Sequence, residues 1–269
     1  MTNALSTGRI TVHISDGLAE VQLDNPERRN ALTKSMCQEL QVLMPGLDDH
    51  PDVQIIILRG AGDTFSAGAA IDDLASVLLD PQDDGSRVDH LTLADAAMSA
   101  TRKPTIAVVD GACIGGGWQL ASACDFIVAS ERSVFAITPA KIGVMYPRAG
   151  IERLVRQVGP ANAKFILFGG ETFSAVRARQ LGLVTETIPD ERFAERVDEL
   201  VRTLQARSRF SIHTLKHLID GPTGSNLEIE ERWQAAWLAM TEGPDMAIGV
   251  QAFLNREEPK FSWDPDNRQ

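Results

Sequence analysis

Two short runs of consecutive apolar residues most constrain the fold of this chain. The run Val53–Leu58 is almost entirely apolar and rich in isoleucine, and Thr105–Val109 has the same character. A strand without polar alternation is typical of a parallel sheet that is covered on both faces. Segments with helical periodicity lie between the predicted strands, so the order of elements predicts an α/β fold with crossover connections.

The segment before the first buried run predicts a hairpin followed by a helix. Ile10–Ser15 and Leu18–Leu23 alternate apolar and polar residues around the turn dipeptide Asp16-Gly17. An apolar stripe then recurs at helical spacing, at Met36, Leu40, Leu43 and Leu47. Thr33 is a suitable N-cap, and we expect Pro45 to kink or shorten the helix.

A change of pattern near residue 190 predicts two parts. Residues 1–190 carry the strand signals and form the predicted α/β core. Residues 191–269 form a predicted helical region with a tail, and the apolar spacing that indicates its first helix runs through Phe193, Val197, Leu200, Val201 and Leu204. From residue 256 onward the chain is charged and contains two prolines, so we expect the order of this tail to depend on a partner surface.

Composition excludes several classes of function. The chain of 269 residues has 26 Lys and Arg against 37 Asp and Glu, and its net charge of −11 repels nucleic-acid phosphates. It contains no apolar run of about 18 residues and no signal peptide, so we predict neither a membrane span nor secretion. Its three cysteines are far apart, which fits a cytoplasmic protein without disulfides. His213 and His217 lack a third ligand, so no metal site is predicted.

Two glycine-rich loops are the candidate sites of chemistry. Phe65–Ala69 follows the first buried strand, and Gly115–Gly117 lies between a strand and a predicted helix that covers Trp118–Ala123. Small residues allow a ligand to approach the backbone, and a helix N-terminus offers unpaired N–H groups. If the loops face each other, two N–H groups can donate to one oxygen, which is an oxyanion hole. The alternative is that both loops are only tight turns.

Several motifs occur in the order and spacing of a known family. From about Ile10 to Phe261 the chain resembles the crotonase superfamily, also called the enoyl-CoA hydratase/isomerase family. The motifs that carry this resemblance are residues 25–32 (NPERRNAL), 65–69 (FSAGA), 111–117 (GACIGGG), 123–125 (ACD), 181–184 (LGLV), 252–254 (AFL) and 259–261 (PKF).

The resemblance implies an acyl-CoA ligand and no cofactor beyond its CoA moiety. It implies a core of repeated ββα units arranged as a superhelix, and a C-terminal helical region that builds a homotrimer or a dimer of trimers. The thioester oxygen would lie between the backbone N–H groups of Ala69 and Gly116. The residues that would bind the CoA portion are Arg29, Ala31, Ala67 and Ile71.

Two positions depart from the hydratases of this family. Where those enzymes use two glutamates, this chain has Gln119 and Ala140. Hydration of an enoyl thioester needs an acid and a base, and neither an amide nor a methyl group supplies them. We therefore expect a reaction that forms an enolate without proton abstraction, such as decarboxylation of a malonyl-type thioester. Gln119 remains a substrate-binding candidate that positions water or polarises the acyl group, and Ala140 remains part of the predicted acyl site.

A second local similarity points towards decarboxylation. Residues 135–146 are similar to the methylmalonyl-CoA decarboxylase branch of the family, with Thr138 and Tyr146 at its threonine and tyrosine positions. Thr138 would bond a substrate carboxylate, and Tyr146 would orient that carboxylate or protonate the enolate. The match is incomplete, because that branch has histidine in place of Ala69. The alternative for Tyr146 is a buried ring whose hydroxyl is bonded locally.

Three functions therefore stay open at the level of sequence. The first is an acyl-CoA enzyme that stabilises an enolate, with decarboxylation as its most concrete form. The second is an enoyl-CoA hydratase or isomerase with an unusual base, for which a bound anion and His90 are the candidates. The third is an acyl-CoA-binding protein without catalysis.

Overall fold

The computed structural model describes residues 8–221 and 226–264. Its strands are β1 (Arg9–Ser15), β2 (Leu18–Asp24), β3 (Ile55–Gly60), β4 (Asp80–Pro81), β5 (Arg87–Val88), β6 (Thr105–Val109), β7 (Ala112–Ile114), β8 (Phe126–Ser130), β9 (Val134–Ala136), β10 (Phe173–Ser174) and β11 (Glu186–Ile188). Its α-helices are α1 (Lys34–Asp49), α2 (Leu74–Leu78), α3 (His90–Ser99), α4 (Gly116–Ser122), α5 (Pro139–Ile142), α6 (Arg148–Gly169), α7 (Ala175–Leu181), α8 (Phe193–Gln205), α9 (Arg209–Asp220), α10 (Asn226–Glu242) and α11 (Asp245–Asn255).

The main sheet confirms the predicted α/β fold. Within the described residues it has six strands in the order β1-β2-β3-β6-β8-β11. Only the β1–β2 pair is antiparallel, and every later neighbour in this sheet pairs in parallel. All five residues of β6 are buried, as is typical of a parallel strand that is covered on both faces.

The N-terminal hairpin and the first helix follow local signals, with one exception. Asp16 and Gly17 both have positive φ, as a two-residue hairpin turn requires. Thr33 caps α1 by accepting a hydrogen bond from the Met36 amide at 3.3 Å. The expectation that Pro45 shortens the helix is wrong, since α1 continues beyond it to Asp49. Pro45 lies on the exposed face, where burial of the apolar stripe on the other face maintains the helix.

One short strand pair and one helix start were not predicted from the sequence. Residues 80–88 contain the short antiparallel pair β4–β5. A turn inside this segment closes through the amide of Gln82, which donates to the carbonyl of Ser86 at 2.9 Å. Helix α4 begins at Gly116, two residues before the predicted start, so the glycine loop itself forms the first helical turn.

The chain divides into two compact units. The first contains residues up to Thr101 together with Thr105–Val197, and it holds the sheets and the core. The second contains Arg102–Pro104 and the residues from Asp198 onward. The boundary between Val197 and Asp198 lies inside α8. Among the described residues, none of the helices has the length and hydropathy that crossing a bilayer requires.

Within the second unit, residues 262 and 263 of the tail are held by the chain itself. The buried Asp245 carboxylate accepts hydrogen bonds from the backbone amides of Ser262 and Trp263 at 3.1 and 3.0 Å. It also accepts from the Ser208 hydroxyl at 2.7 Å, and the Trp263 ring packs edge-on against Phe210. The expectation that the tail needs a partner surface is therefore wrong for these residues, while 265–269 lie outside the described part.

Candidate active site

The loop after β3 is fixed by buried polar side chains. Asn30 is fully buried, and its amide nitrogen donates to the carbonyls of Ala61 and Thr64 at 2.8 and 2.6 Å. The Ser66 hydroxyl donates to the Asn30 carbonyl at 2.7 Å and accepts from the Gly68 amide at 3.1 Å. These bonds hold the loop from both sides, so its backbone has one defined course.

The first glycine loop is bonded to the strand that leads into the second. The Ile114 amide donates to the Ser66 carbonyl at 2.9 Å, which joins β7 to the first loop. Gly68 has φ +96, and a methyl group there would lie 2.9 Å from the Ile114 carbonyl oxygen. Glycine is therefore required at 68 both for its backbone conformation and for the close approach.

The amides of Ala69 and Gly116 lie close enough to share one acceptor. A methyl group on Gly116 would lie 3.1 Å from the Ala69 nitrogen. A Cβ atom is about 2.5 Å from its own nitrogen, so the two amide nitrogens are at most about 5.6 Å apart. Two N–H groups that donate to one oxygen at about 2.9 Å can be up to about 5.8 Å apart. The spacing satisfies this geometric condition for an oxyanion hole.

Both amides are available to a ligand. The Leu32 amide donates to the Gly68 carbonyl, and the Leu32 carbonyl accepts from the Ala70 amide, both at 2.8 Å. Ala69 lies between these two residues, and its N–H takes part in neither bond. Gly116 is the first residue of α4 and has no acceptor within the helix. Across the described ranges, no protein group accepts from either amide.

A cavity of about 80 Å³ lies beside these amides. Six predicted site residues line it: Ala67, Ala69, Ile71, Gly116, Thr138 and Tyr146. Gly68 and Gly115, from the two predicted glycine loops, also line it. The lining residues that were not predicted from the sequence are Leu74, Leu78, Leu91, Ile114, Pro139, Ile142, Val144, Met145 and Pro147. The i, i+4 spacing of Leu74 and Leu78 was the available signal for two of them. No aspartate, glutamate, histidine, lysine or arginine occurs in this lining.

Tyr146 lines the cavity, but its hydroxyl is bonded to the protein. It donates to the Gly115 carbonyl oxygen at 2.9 Å. Its ring packs near Trp118, with 6.3 Å between the ring centroids, and lies directly against Gly150. Burial raises the pKa of the Tyr146 phenol well above its usual value, so the hydroxyl stays protonated. The single hydroxyl proton is thus engaged by a backbone carbonyl.

The Thr138 hydroxyl, in contrast, is free to contact a ligand. Thr138 precedes α5 and is half-buried at the cavity wall. Its side chain does not cap the helix, and it forms no hydrogen bond with any residue that the structure describes. Thr138 therefore adds a donor and acceptor to a lining that is otherwise mostly apolar.

Four predicted binding residues lie outside the cavity lining. Gln119 is fully buried in α4, and in the described chain neither of its side-chain amide atoms has a hydrogen-bond partner. It lies one turn after Gly116, on the same helix face. Ala140 is exposed on α5. Arg29 is exposed and its carbonyl accepts from the Ala67 amide at 2.9 Å, whereas Ala31 is buried. Their contacts with a ligand stay predictions.

His90 belongs to a charged cluster outside the cavity lining. Its Nε2 atom lies 3.0 Å from Oδ2 of Asp80, and the same oxygen is 2.6 Å from the Lys34 ammonium group. Hydrogen bonds from Lys34 and then His90 lower the pKa of Asp80 to about 2. The His90 Nε2 atom thus contacts Asp80, and His90 is not one of the residues that line the cavity.

Comparison with known proteins agrees with the fold and the motifs. The family model of enoyl-CoA hydratase/isomerase matches residues 13–264. A crystal structure described as an enoyl-CoA hydratase/isomerase family member is 60% identical, with a TM-score of 0.94 over 98% of this chain and 100% of that one. A Mycobacterium bovis protein named "Probable enoyl-CoA hydratase" is 29% identical over 90% of this chain and 93% of its own length. The Mycosarcoma maydis protein named "Enoyl-CoA isomerase/hydratase" is 28% identical over 91% of this chain and 93% of its own length. The chain belongs to the enoyl-CoA hydratase/isomerase family, the crotonase superfamily.

Proposed function

We propose that the protein binds an acyl-CoA thioester with its carbonyl oxygen between the amides of Ala69 and Gly116, and that it stabilises an enolate at this site. The most concrete reaction is decarboxylation of a malonyl-type thioester. The observation that carries the proposal is the pair of unbonded amides on a cavity wall that has no carboxylate or imidazole.

The amides would act where negative charge develops. When the bond between the α-carbon and the substrate carboxylate breaks, CO₂ leaves and the electron pair forms an enolate. Its charge moves to the thioester oxygen, which accepts from both N–H groups, and each donor contributes about 3–4 kcal/mol to the transition state. Protonation of the α-carbon by water then gives the product.

The cavity lining favours this reaction over addition of water. A substrate carboxylate among Leu91, Ile114 and Val144 is less well solvated than in water, and loss of CO₂ moves its negative charge to the thioester oxygen, where the two N–H groups stabilise it. The unbonded Thr138 hydroxyl at the cavity wall would orient the carboxylate. Hydration would require an acid and a base, and the described lining supplies neither.

Enoyl-CoA hydration is the second candidate, because the Mycobacterium bovis relative carries that name. A base would then have to come from outside the cavity lining or from a bound anion. The Gln119 amide, which is buried and unbonded, is a group that could hold the attacking water but not deprotonate it.

Turnover of three substrates separates the candidates. Purified protein is incubated separately with malonyl-CoA, methylmalonyl-CoA and crotonyl-CoA, and the products are identified by mass spectrometry. Loss of CO₂ from a malonyl thioester supports the proposal. Efficient formation of 3-hydroxybutyryl-CoA from crotonyl-CoA contradicts it and identifies a hydratase. Binding of all three without turnover indicates a non-catalytic acyl-CoA-binding protein.

A further inference from the structure

Tyr146 is joined to the proposed oxyanion site through a single peptide unit. Its hydroxyl donates to the carbonyl oxygen of Gly115 at 2.9 Å, and that carbonyl shares a peptide bond with the N–H of Gly116. The peptide is planar and trans, so its C=O and N–H point in opposite directions. Whatever holds the Gly115 oxygen therefore also sets the direction of the Gly116 N–H.

This peptide needs an external anchor. Both of its residues lack a Cβ atom, so rotation of the peptide plane meets little steric resistance. The Gln119 amide also donates to the Gly115 oxygen, at 3.1 Å, as the first hydrogen bond of α4. Tyr146 supplies the side-chain donor, from a ring that is fixed by packing against Gly150 and near Trp118.

We propose that Tyr146 is a positioning residue: its hydroxyl holds the Gly115–Gly116 peptide so that the Gly116 N–H faces the thioester oxygen, and it strengthens that N–H as a donor. The inference rests on the proposed function. A hydrogen bond to an amide oxygen draws electron density from the amide nitrogen, and bonds in such a chain strengthen one another. Tyr146 thus acts on the substrate through the backbone, not through its own proton.

The state of the phenol agrees with this role. Its raised pKa, caused chiefly by burial, keeps the hydroxyl a donor at neutral pH. Tyr146 is also the single tyrosine of the sequence, so a tyrosine analogue that is incorporated biosynthetically changes this position alone.

The test measures polarisation of a bound thioester that does not react. Butyryl-CoA labelled with ¹³C at its carbonyl is bound to the protein, and the ¹³C chemical shift is compared with that of the free thioester. In Tyr146→Phe we expect the binding-induced shift to fall by half or more, while the Kd changes by less than about threefold.

Turnover gives a second readout of the same variant. With malonyl-CoA we expect kcat of Tyr146→Phe to fall about tenfold at unchanged KM, which is less than the loss of a whole oxyanion donor. Thr203→Val is the matched control, because it also removes a hydroxyl that donates to a backbone carbonyl, that of Glu199 at 2.7 Å.

A second variant changes the donor strength without removing the hydroxyl. Incorporation of 3-fluorotyrosine makes the phenol a stronger donor, so we expect a larger ¹³C shift, opposite in sign to Tyr146→Phe. This measurement decides the matter even if Tyr146→Phe does not fold. An unchanged shift in the analogue, or a full shift in folded Tyr146→Phe, overturns the positioning role and leaves the proposed site intact. Absence of any shift in the unsubstituted protein overturns both proposals.

Discussion

The polar groups of the first unit fall into two regions that differ in how completely they are paired. Around the cavity, the amides of Ala69 and Gly116 and the hydroxyl of Thr138 have no partner among the described residues. Between α3 and α6, the buried Asp95 carboxylate binds the Arg153 guanidinium at 2.8 and 3.0 Å. Unpaired polar groups at a largely buried site carry a cost that a ligand removes, whereas paired groups hold the fold. Substitutions should therefore affect binding in the first region and stability in the second.

Breaking the buried ion pair should have the largest effect. Asp95 has only 2% of its side chain exposed and Arg153 only 17%, so Asp95→Ala leaves a guanidinium that is largely buried without its partner. We expect the free energy of unfolding to fall by about 3–5 kcal/mol. Denaturation with urea, followed by circular dichroism, measures the change.

The control for this prediction is an exposed ion pair on the same helix. Arg148 and Glu152 form an i, i+4 pair on α6 with both side chains largely exposed. Glu152→Ala should change the stability far less than Asp95→Ala. The double variant Asp95→Ala with Arg153→Met should recover part of the stability that Asp95→Ala loses. Equal destabilisation by Asp95→Ala and Glu152→Ala would contradict the distinction between the buried and the exposed pair.

Placing a methyl group between the two amides should have the next largest effect, but on binding and turnover. In Gly116→Ala the new methyl group would lie 3.1 Å from the Ala69 nitrogen, in the space where we place the thioester oxygen. Loss of one oxyanion donor lowers kcat by about 10²–10³-fold, or about 3–4 kcal/mol. We expect a fall of at least 100-fold in malonyl-CoA turnover, together with loss of the ¹³C shift of bound butyryl-CoA.

Gly46→Ala separates this effect from the general cost of replacing a helical glycine. Gly46 lies on an exposed face of α1, and a methyl group there would meet no atom within 4 Å. Alanine at such a position stabilises a helix by up to about 1 kcal/mol, and we expect turnover to be unchanged. If both alanine variants keep their activity, the amides of 69 and 116 do not hold the thioester.

The sequence predicts features that depend on neighbouring residues better than contacts between residues far apart in the chain. Strand β6, the Asp16-Gly17 turn and the Thr33 cap follow from local chemistry, because each depends on residues close in the chain. The intrinsic effect of Pro45 predicts a shortened helix, yet burial of the opposite helix face outweighs that effect in α1. A locally bonded Tyr146 hydroxyl is one of the two sequence-based alternatives, but Gly115 cannot be identified as its acceptor, since any residue presents a backbone carbonyl. The hydrogen bond between His90 and Asp80 is not predictable either, because it joins side chains ten residues apart.

Removal of the Thr138 hydroxyl should have a smaller effect that depends on the ligand. Thr138→Val keeps the shape of the side chain but removes the unbonded polar group at the cavity wall. A hydrogen bond to a charged group contributes about 1.5–3 kcal/mol, so we expect affinity for malonyl-CoA to fall at least tenfold. Affinity for butyryl-CoA, which has no carboxylate, should stay within about twofold. Isothermal titration calorimetry measures both, and equal losses for the two ligands would remove the proposed carboxylate contact.

The smallest expected effect is a pH dependence of stability that comes from Asp80, a paired carboxylate outside the cavity lining. Folding lowers the pKa of Asp80 to about 2, chiefly through the hydrogen bond from Lys34, against about 3.9 in an unfolded chain. Since the folded pKa is the lower one, the stabilisation is complete above about pH 4 and is lost as the pH falls towards 2. The difference in unfolding free energy between the unsubstituted protein and Asp80→Asn should therefore be constant from pH 7 to 5 and shrink below pH 4.

The affinity of the cavity for a ligand should not depend on pH in the neutral range. The cavity lining contains Tyr146 as its one titratable side chain, and the pKa of that side chain is raised. Affinity for butyryl-pantetheine, a thioester without phosphates, should therefore be constant from pH 5 to 8. A titration in this range would place an ionising group at the cavity and would favour a hydratase with an acid or base that the described lining does not include.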